Sequence, residues 1–312
     1  MGSPEFAVAS LDAMLQAGFL VVAVVTAPDK PAGRGMKAQT TPVKQYALAH
    51  GLDILQPEKL KDPVFLKNLR AYSADLQVVV AFRMLPEQVW NMPGLGTINL
   101  HASLLPQYRG AAPINWAVMN GETRTGVTTF KMQHEIDTGN ILMQESFPIS
   151  EQETSGEVHD RMKVIGARVL VRTIEGLASG TLHEIPQKEL GVEGEKRAPK
   201  IFKETCNIDW HKSTWTVYNQ IRGLCPFPGA YTYLDGKMLK IFRAGKQMEK
   251  PTEKPGAYFS DGRTYLKFAA TDGYLVIEEL QIEGKKRMAV EDFLRGHKLG
   301  PTGADESKVL PP

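Results

Sequence analysis

The sequence predicts an α/β protein with a doubly wound, mostly parallel sheet that lacks an opening strand, followed by a second, smaller OB-like β-barrel domain. Three observations carry this. Strand-period and helix-period segments alternate through the first hundred residues, the pattern of a parallel sheet covered by helices. Residues 183–204 mix proline, glycine and charge (PQKELGVEGEKRAPK) without periodicity and read as a linker. After them, five or six short strands follow one another at regular spacing, as in a small barrel. With 312 residues and 42% apolar composition there is enough chain for two cored domains. They are drawn at 1–182 and 205–300, with 301–312 a polar, proline-bearing, disordered tail.

In chain order, MGSPEF at 1–6 reads as a loop into a helix at 7–17, with no strand ahead of it. Strand 20–26 is apolar and β-branched, and no basic residues precede it, so it is not a signal peptide. There follow a loop at 27–41, helix 42–50, a short strand at 53–55, helix 63–72, strand 76–81 and helix 86–90. Residues 126–132 and 140–150 pair around a connection, and helix spacing of Val158, Met162, Ile165, Val169 and Ile174 gives a helix over 155–177. Beyond the linker come a short helix at 214–222, the CPFPGA turn at 225–230, and strands at 231–234, 238–244, 256–258, 265–268 and 274–281.

The stretch GTINLHASLLPQYRGAAPIN at 96–115 organises the rest. TINLH is a strand, and period 2 puts Asn99 and His101 on one face. A proline-ended turn follows, then small residues leading into a helix through Trp116 and Met119. Polar groups above a strand end are where α/β proteins keep their sites. A carboxylate, Asp137, follows in EIDTGNIL at 135–142. An oxygen gaining negative charge in a tetrahedral intermediate needs donors such as the Asn99 amide. His101 can donate to it or shuttle a proton, and Asp137 can orient the imidazole or take the proton through water.

NLHASLLPQYRGAAP followed by EIDTGNIL resembles the folate-dependent formyltransferases. The resemblance implies the catalytic trio Asn99, His101 and Asp137. It also implies a folate wall at Ser103, Leu104, Leu105 and Pro106, with Arg83, Met84 and Leu85 lining the pterin pocket. The activity implied is transfer of a formyl group from 10-formyltetrahydrofolate, the donor cosubstrate, to the amino group of initiator methionyl-tRNA in translation initiation, without a metal. Separately from the resemblance, the chain is expected to be cytoplasmic, and a monomer by default. Arg109 either meets a carboxylate or pairs within the fold. Family members carry a strand directly ahead of the segment matching 1–6, so a start read too late is expected, a reading refuted if mass spectrometry finds the mature chain beginning at Met1. The basic, glycine-rich loop DKPAGRGMK at 29–37 matches a family insertion that contacts the tRNA acceptor arm, through Arg34 with Lys30 and Lys37 beside it.

No Gly-x-Gly-x-x-Gly or Walker sequence follows a strand, so neither a dinucleotide nor ATP is expected. No run of 18 apolar residues occurs, and Cys206 and Cys225 are too few for a disulfide framework or a cysteine-based zinc site. Net charge is +2, but residues 200–300 hold 17 Lys and Arg against 12 Asp and Glu. Local patches at Lys237, Lys240, Arg243 and Lys246 and at 285–287 suit a phosphate backbone. The alternatives weighed are a sugar-nucleotide formyltransferase, an inactive truncated tRNA-binding protein, and a metal site of His101, His134 and Asp137.

Overall fold

The computed structural model describes residues 1–32, 37–191, 194–299 and 302–304. Packing groups the chain into two units, each assembled from separate stretches. The first takes Met1–Gly110, Arg124–Phe147 and His159–Arg197, the second Ala111–Thr123, Pro148–Val158 and Ala198–Pro312.

In the first unit α1 (Glu5–Gln16) leads to β1 (Val24–Val25). The basic stretch read as an open loop carries a two-stranded ribbon, β2 (Lys30–Ala32) against β3 (Lys37–Gln39). Helix α2 (Pro42–Ala49) starts where the Thr41 hydroxyl accepts the Lys44 N–H, then come β4 (Ile54–Leu55) and α3 (Pro63–Ala71), capped by the Asp62 carboxylate. Next are β5 (Gln77–Val80), α4 (Glu87–Trp90), β6 (Thr97–His101) and β7 (Arg109–Gly110). After α5 (Pro113–Met119), which belongs to the second unit, follow β8 (Arg124–Lys131), β9 (Ile141–Pro148) and α6 (Ser155–Ala178). The central sheet runs β5-β6-β8-β9, parallel between β5 and β6 and antiparallel between β6 and β8. Its apolar face packs on a core that includes Val25, Phe65, Leu69, Val79 and Val89.

Strand 20–26 is a correction: only Val24 and Val25 are strand, paired in parallel with β4 in a separate two-stranded sheet, and Leu20 is 88% exposed. The reason lies between β1 and β5. The Met1 amino group donates to the Val78 carbonyl at 2.6 Å, Val80 N–H donates to Met1 O at 2.9 Å, and Gly2 N–H donates to Val25 O at 3.0 Å. Among the described residues only Met1 and Gly2 bridge these strands by backbone hydrogen bonds. Below them lies a cavity of about 870 Å³ lined by Leu11, Val22, Val24, Val78 and Ile174 among others. Strand geometry without a neighbour leaves backbone groups unpaired, so residues 19–23 have no ladder to join.

The second unit sets α5 and α7 (Thr214–Leu224) together beside an antiparallel sheet. After β10 (Arg197–Ala198) its strands are β11 (Ala230–Leu234), β12 (Lys237–Gln247), β13 (Ala257–Ser260), β14 (Leu266–Ala269), β15 (Tyr274–Ile282), β16 (Met288–Ala289) and β17 (Thr302–Ala304), with α8 (Val290–Gly296) before the last. The order is β11-β12-β15-β14-β13-β17, and register shifts around Arg243 bend the long β12–β15 ribbon so that the sheet curls. Leu239, Ile241, Phe268 and Leu280 fill its inner face against Val217, Ile221 and Leu224 of α7. Three elements, β10, β16 and α8, have no counterpart in the sequence reading. The expected tail is also corrected: Thr302–Ala304 pair with β13, while the remainder of 301–312 lies outside the described residues.

Candidate active site

Strand β6 presents Asn99 and His101 at its C-terminal end while Ile98 and Leu100 are buried on its opposite face. Two residues of strand place the pair roughly 6.6 Å apart along one face. His101 is buried, and its Nε2 lies 3.0 Å from the Tyr108 carbonyl. A carbonyl can only accept, so Nε2 carries the hydrogen and Nδ1 faces away, toward Asp137 Oδ2 at 3.9 Å. Asp137 reaches this position from the connection between β8 and β9. Its backbone is left-handed, φ 55°, and its Oδ2 accepts the Gly110 N–H at 3.0 Å. The structure thus brings His101 and Asp137 together and places Asn99 on the strand of His101.

The 103–106 turn is held from below. Thr128, fully buried, donates its hydroxyl to Ser103 O at 2.7 Å and accepts the Leu105 N–H at 3.1 Å and Gln144 Nε2 at 2.9 Å. Gln144 also donates to Leu105 O at 2.8 Å. Ser103 turns its hydroxyl onto Gln107 O, and Leu105 and Pro106 are buried, so of the four only Leu104 keeps a partly exposed side chain. At the end of β5, Arg83 donates to the carbonyls of Glu58 and Pro57, Met84 is 72% exposed, and Leu85 is buried in the core beside Val89.

Arg109 pairs within the fold, with Glu195 Oε2 at 3.1 Å and with Gln187 Oε1 through both Nε and Nη2. Gln187, Thr128 and Gln144 were absent from the sequence reading. The first sits in a stretch without periodicity, and the other two are polar residues within strands whose pattern announces only a sheet. Nearby, burial raises the Glu184 carboxyl, but hydrogen bonds from Asn140 and Lys131 hold it below the usual range.

Of the residues expected to meet nucleic acid, Lys30 is exposed on β2, Arg34 lies outside the described residues, and Lys37 is placed in β3 by its backbone alone. Four basic residues of the second unit's two patches are engaged. Lys240 donates to Pro228 O, Arg243 pairs with Glu157, Lys246 pairs with Glu151 over the Trp215 and Tyr218 rings, and Arg287 pairs with Glu279. His134 is exposed, and no group of three metal-binding side chains occurs among the described residues. None of the described helices is long and apolar enough to cross a membrane.

Residues 1–174 match the formyl transferase family, and 200–298 match the formyl transferase C-terminal domain. The chain is similar to the methionyl-tRNA formyltransferase of Bacteroides fragilis strain YCH46, 52% identical over 305 residues that cover 96% of this chain and 94% of that one. It is 46% identical to that of Flavobacterium johnsoniae, covering 99% and 97%. Among solved structures the N-formyltransferase from Helicobacter canadensis, in complex with folinic acid and dTDP-3-aminofucose, shares the fold with a TM-score of 0.65 at 20% identity, over 92% of this chain and 97% of that one. HypX from Aquifex aeolicus, in complex with tetrahydrofolic acid, does so with a TM-score of 0.58 at 21% identity, over 79% and 43%.

Proposed function

This chain belongs to the formyltransferase family, and from that premise we propose that it transfers the formyl group of 10-formyltetrahydrofolate to the amino group of initiator methionyl-tRNA, for translation initiation. The observation that carries the chemistry is the pairing of His101 with Asp137 beside Asn99 at the end of β6. The methionyl amine attacks the formyl carbon, a C–N bond forms, and the carbonyl oxygen becomes an oxyanion. The Asn99 amide donates to that oxyanion, a contact whose loss costs on the order of 10²–10³ in turnover. Because the Tyr108 carbonyl holds Nε2–H, the atom of His101 left for chemistry is Nδ1. Its 3.9 Å separation from Asp137 Oδ2 lets one amine nitrogen lie within hydrogen-bond reach of both. The pair takes one proton from that nitrogen and returns one to N10 of the folate as the N10–formyl bond breaks, so the products are formylmethionyl-tRNA and tetrahydrofolate.

The turn at 103–106 offers backbone groups and the Leu104 side chain to the folate, and Arg83 and Met84 flank the pterin. Leu85 supports that wall from the core. Lys30 and Lys37 of the basic ribbon, with Arg34 between them in the sequence, meet the phosphates of the tRNA, and the enzyme works as a monomer in the cytoplasm. The test is transfer of labelled formyl from 10-formyltetrahydrofolate to charged initiator tRNA, alongside Asn99→Ala and His101→Ala. Each substitution is expected to lower turnover by about a hundredfold or more. Wild-type turnover in both would sink the mechanism, and transfer to an amino-sugar nucleotide instead of the tRNA would replace the acceptor.

A further inference from the structure

We propose that Gln187 is a positioning residue for formyl transfer, acting through Asp137; the proposal rests on the role given to Asp137 above. The Gln187 side chain is buried at 5% exposure, and its Nε2 donates to two carbonyls, Asp137 O at 2.8 Å and Gly139 O at 2.8 Å. Its Oε1 accepts both Nε and Nη2 of Arg109, at 3.1 and 2.6 Å, and Arg109 is itself tied to Glu195. One carboxamide therefore closes the backbone on both sides of Thr138 and is locked from behind by a guanidinium.

The register explains why this residue reaches that place. Ile185 and Ile141 exchange two backbone hydrogen bonds at 2.8 Å, and continuing that antiparallel pairing by two residues sets Gln187 opposite Gly139. Asp137 needs such a clamp. A non-glycine residue at φ 55° sits in a conformation that costs on the order of 1–2 kcal/mol, so an unrestrained loop relaxes away from it. Relaxation by about 1 Å moves the carboxylate off His101 and Gly110 while Thr128 and Gln144 still hold the 103–106 turn, and a displacement of that size costs on the order of a hundredfold in rate.

Turnover and both KM values are to be measured for Gln187→Ala and Gln187→Glu, alone and combined with Asp137→Asn. The Glu variant keeps the length and the acceptor for Arg109 but puts a carboxylate oxygen where the two N–H donors stood, so it separates the donor role from simple filling of space. Both single variants are expected to keep thermal midpoints within a few degrees of wild type. Turnover is expected to fall by about ten- to a hundredfold with both KM values within about twofold, and in the Asp137→Asn background the further loss is less than about twofold. Unchanged turnover in Gln187→Ala overturns the proposal. So does the same fold loss with and without the Asp137 carboxylate, which marks a general packing role. Wild-type turnover in Asp137→Asn alone overturns the role of Asp137 and this proposal with it, an outcome read separately from the other two.

Discussion

Gly139 shows how little room the loop that carries Asp137 has. A Cβ built there lies 1.7 Å from the Lys131 carbonyl oxygen, where β8 leaves the sheet, and no rotation of a side chain relieves a contact with backbone. Gly139→Ala is expected to push the loop off β8 and displace Asp137, abolishing most formyl transfer; activity within twofold of wild type would show that the loop tolerates the shift. Thr128 makes a second case, because its one hydroxyl uses all three of its hydrogen-bonding sites on the 103–106 turn and Gln144. Thr128→Val strands those groups at a cost of about 1–3 kcal/mol. The expected outcome is a raised KM for the folate with the KM for tRNA little changed, measured by steady-state kinetics. Period 2 made Asn99 and His101 legible in the sequence, since a strand fixes the facing of residues i and i+2. Asp137 was legible as a downstream carboxylate of the right chemistry, but its place beside them came through the resemblance, because a loop has no period that says where its side chains go. Gln187 was illegible: its partners lie 48 to 78 residues away, and its segment reads as a linker.

At the scale of elements, the alternation of strands and helices was read to within a few residues, because amphipathic periodicity and caps such as Thr41 and Asp62 act locally. Strand 20–26 fell short because being strand depends on a neighbour. Parity identifies the groups involved. Val24 and Thr26 give their N–H groups to β4, so the Val25 N–H points the other way, toward β5, while Val78 N–H and Leu76 O point from β5 toward β1. An extended apolar segment joined to the Met1 nitrogen and lying in parallel with both strands would pair those groups and fill the 870 Å³ cavity. Burial of large apolar side chains outweighs backbone ordering by roughly 1 kcal/mol per residue. A five-residue apolar extension is therefore expected to raise the thermal midpoint by about 5 °C or more; a Gly-Ser extension that does as well would refute the slot.

The whole molecule is not two consecutive beads, because the second unit recruits two stretches from the earlier half of the chain. Asn115 of α5 donates to Gly223 O of α7, and a Cβ on Gly223 would meet Met119 at 2.4 Å, so helix α7 is cut to fit α5. Arg222, 6% exposed, donates to Ser150 O and Glu153 O, and Tyr218 donates its hydroxyl to Glu151 O. Sequence patterning located the strands of this unit by their alternation. It could not announce this recruitment, which depends on contacts 67 to 108 residues apart. A fragment starting at Lys200 keeps α7 and the sheet but deletes every one of those partners. It leaves a buried guanidinium without its carbonyls, a change that costs several kcal/mol against a total stability of only about 5–15 kcal/mol. That fragment is expected to lose cooperative unfolding, or to melt well below the second unit of the intact chain, by near-ultraviolet circular dichroism and calorimetry. If the intact chain is instead cut by protease within 191–195, both stretches remain on the other piece, and the two pieces are expected to stay associated through gel filtration until denaturant separates them. A Lys200 fragment as stable as the uncut protein would show that the sheet and α7 hold themselves together without the recruited stretches.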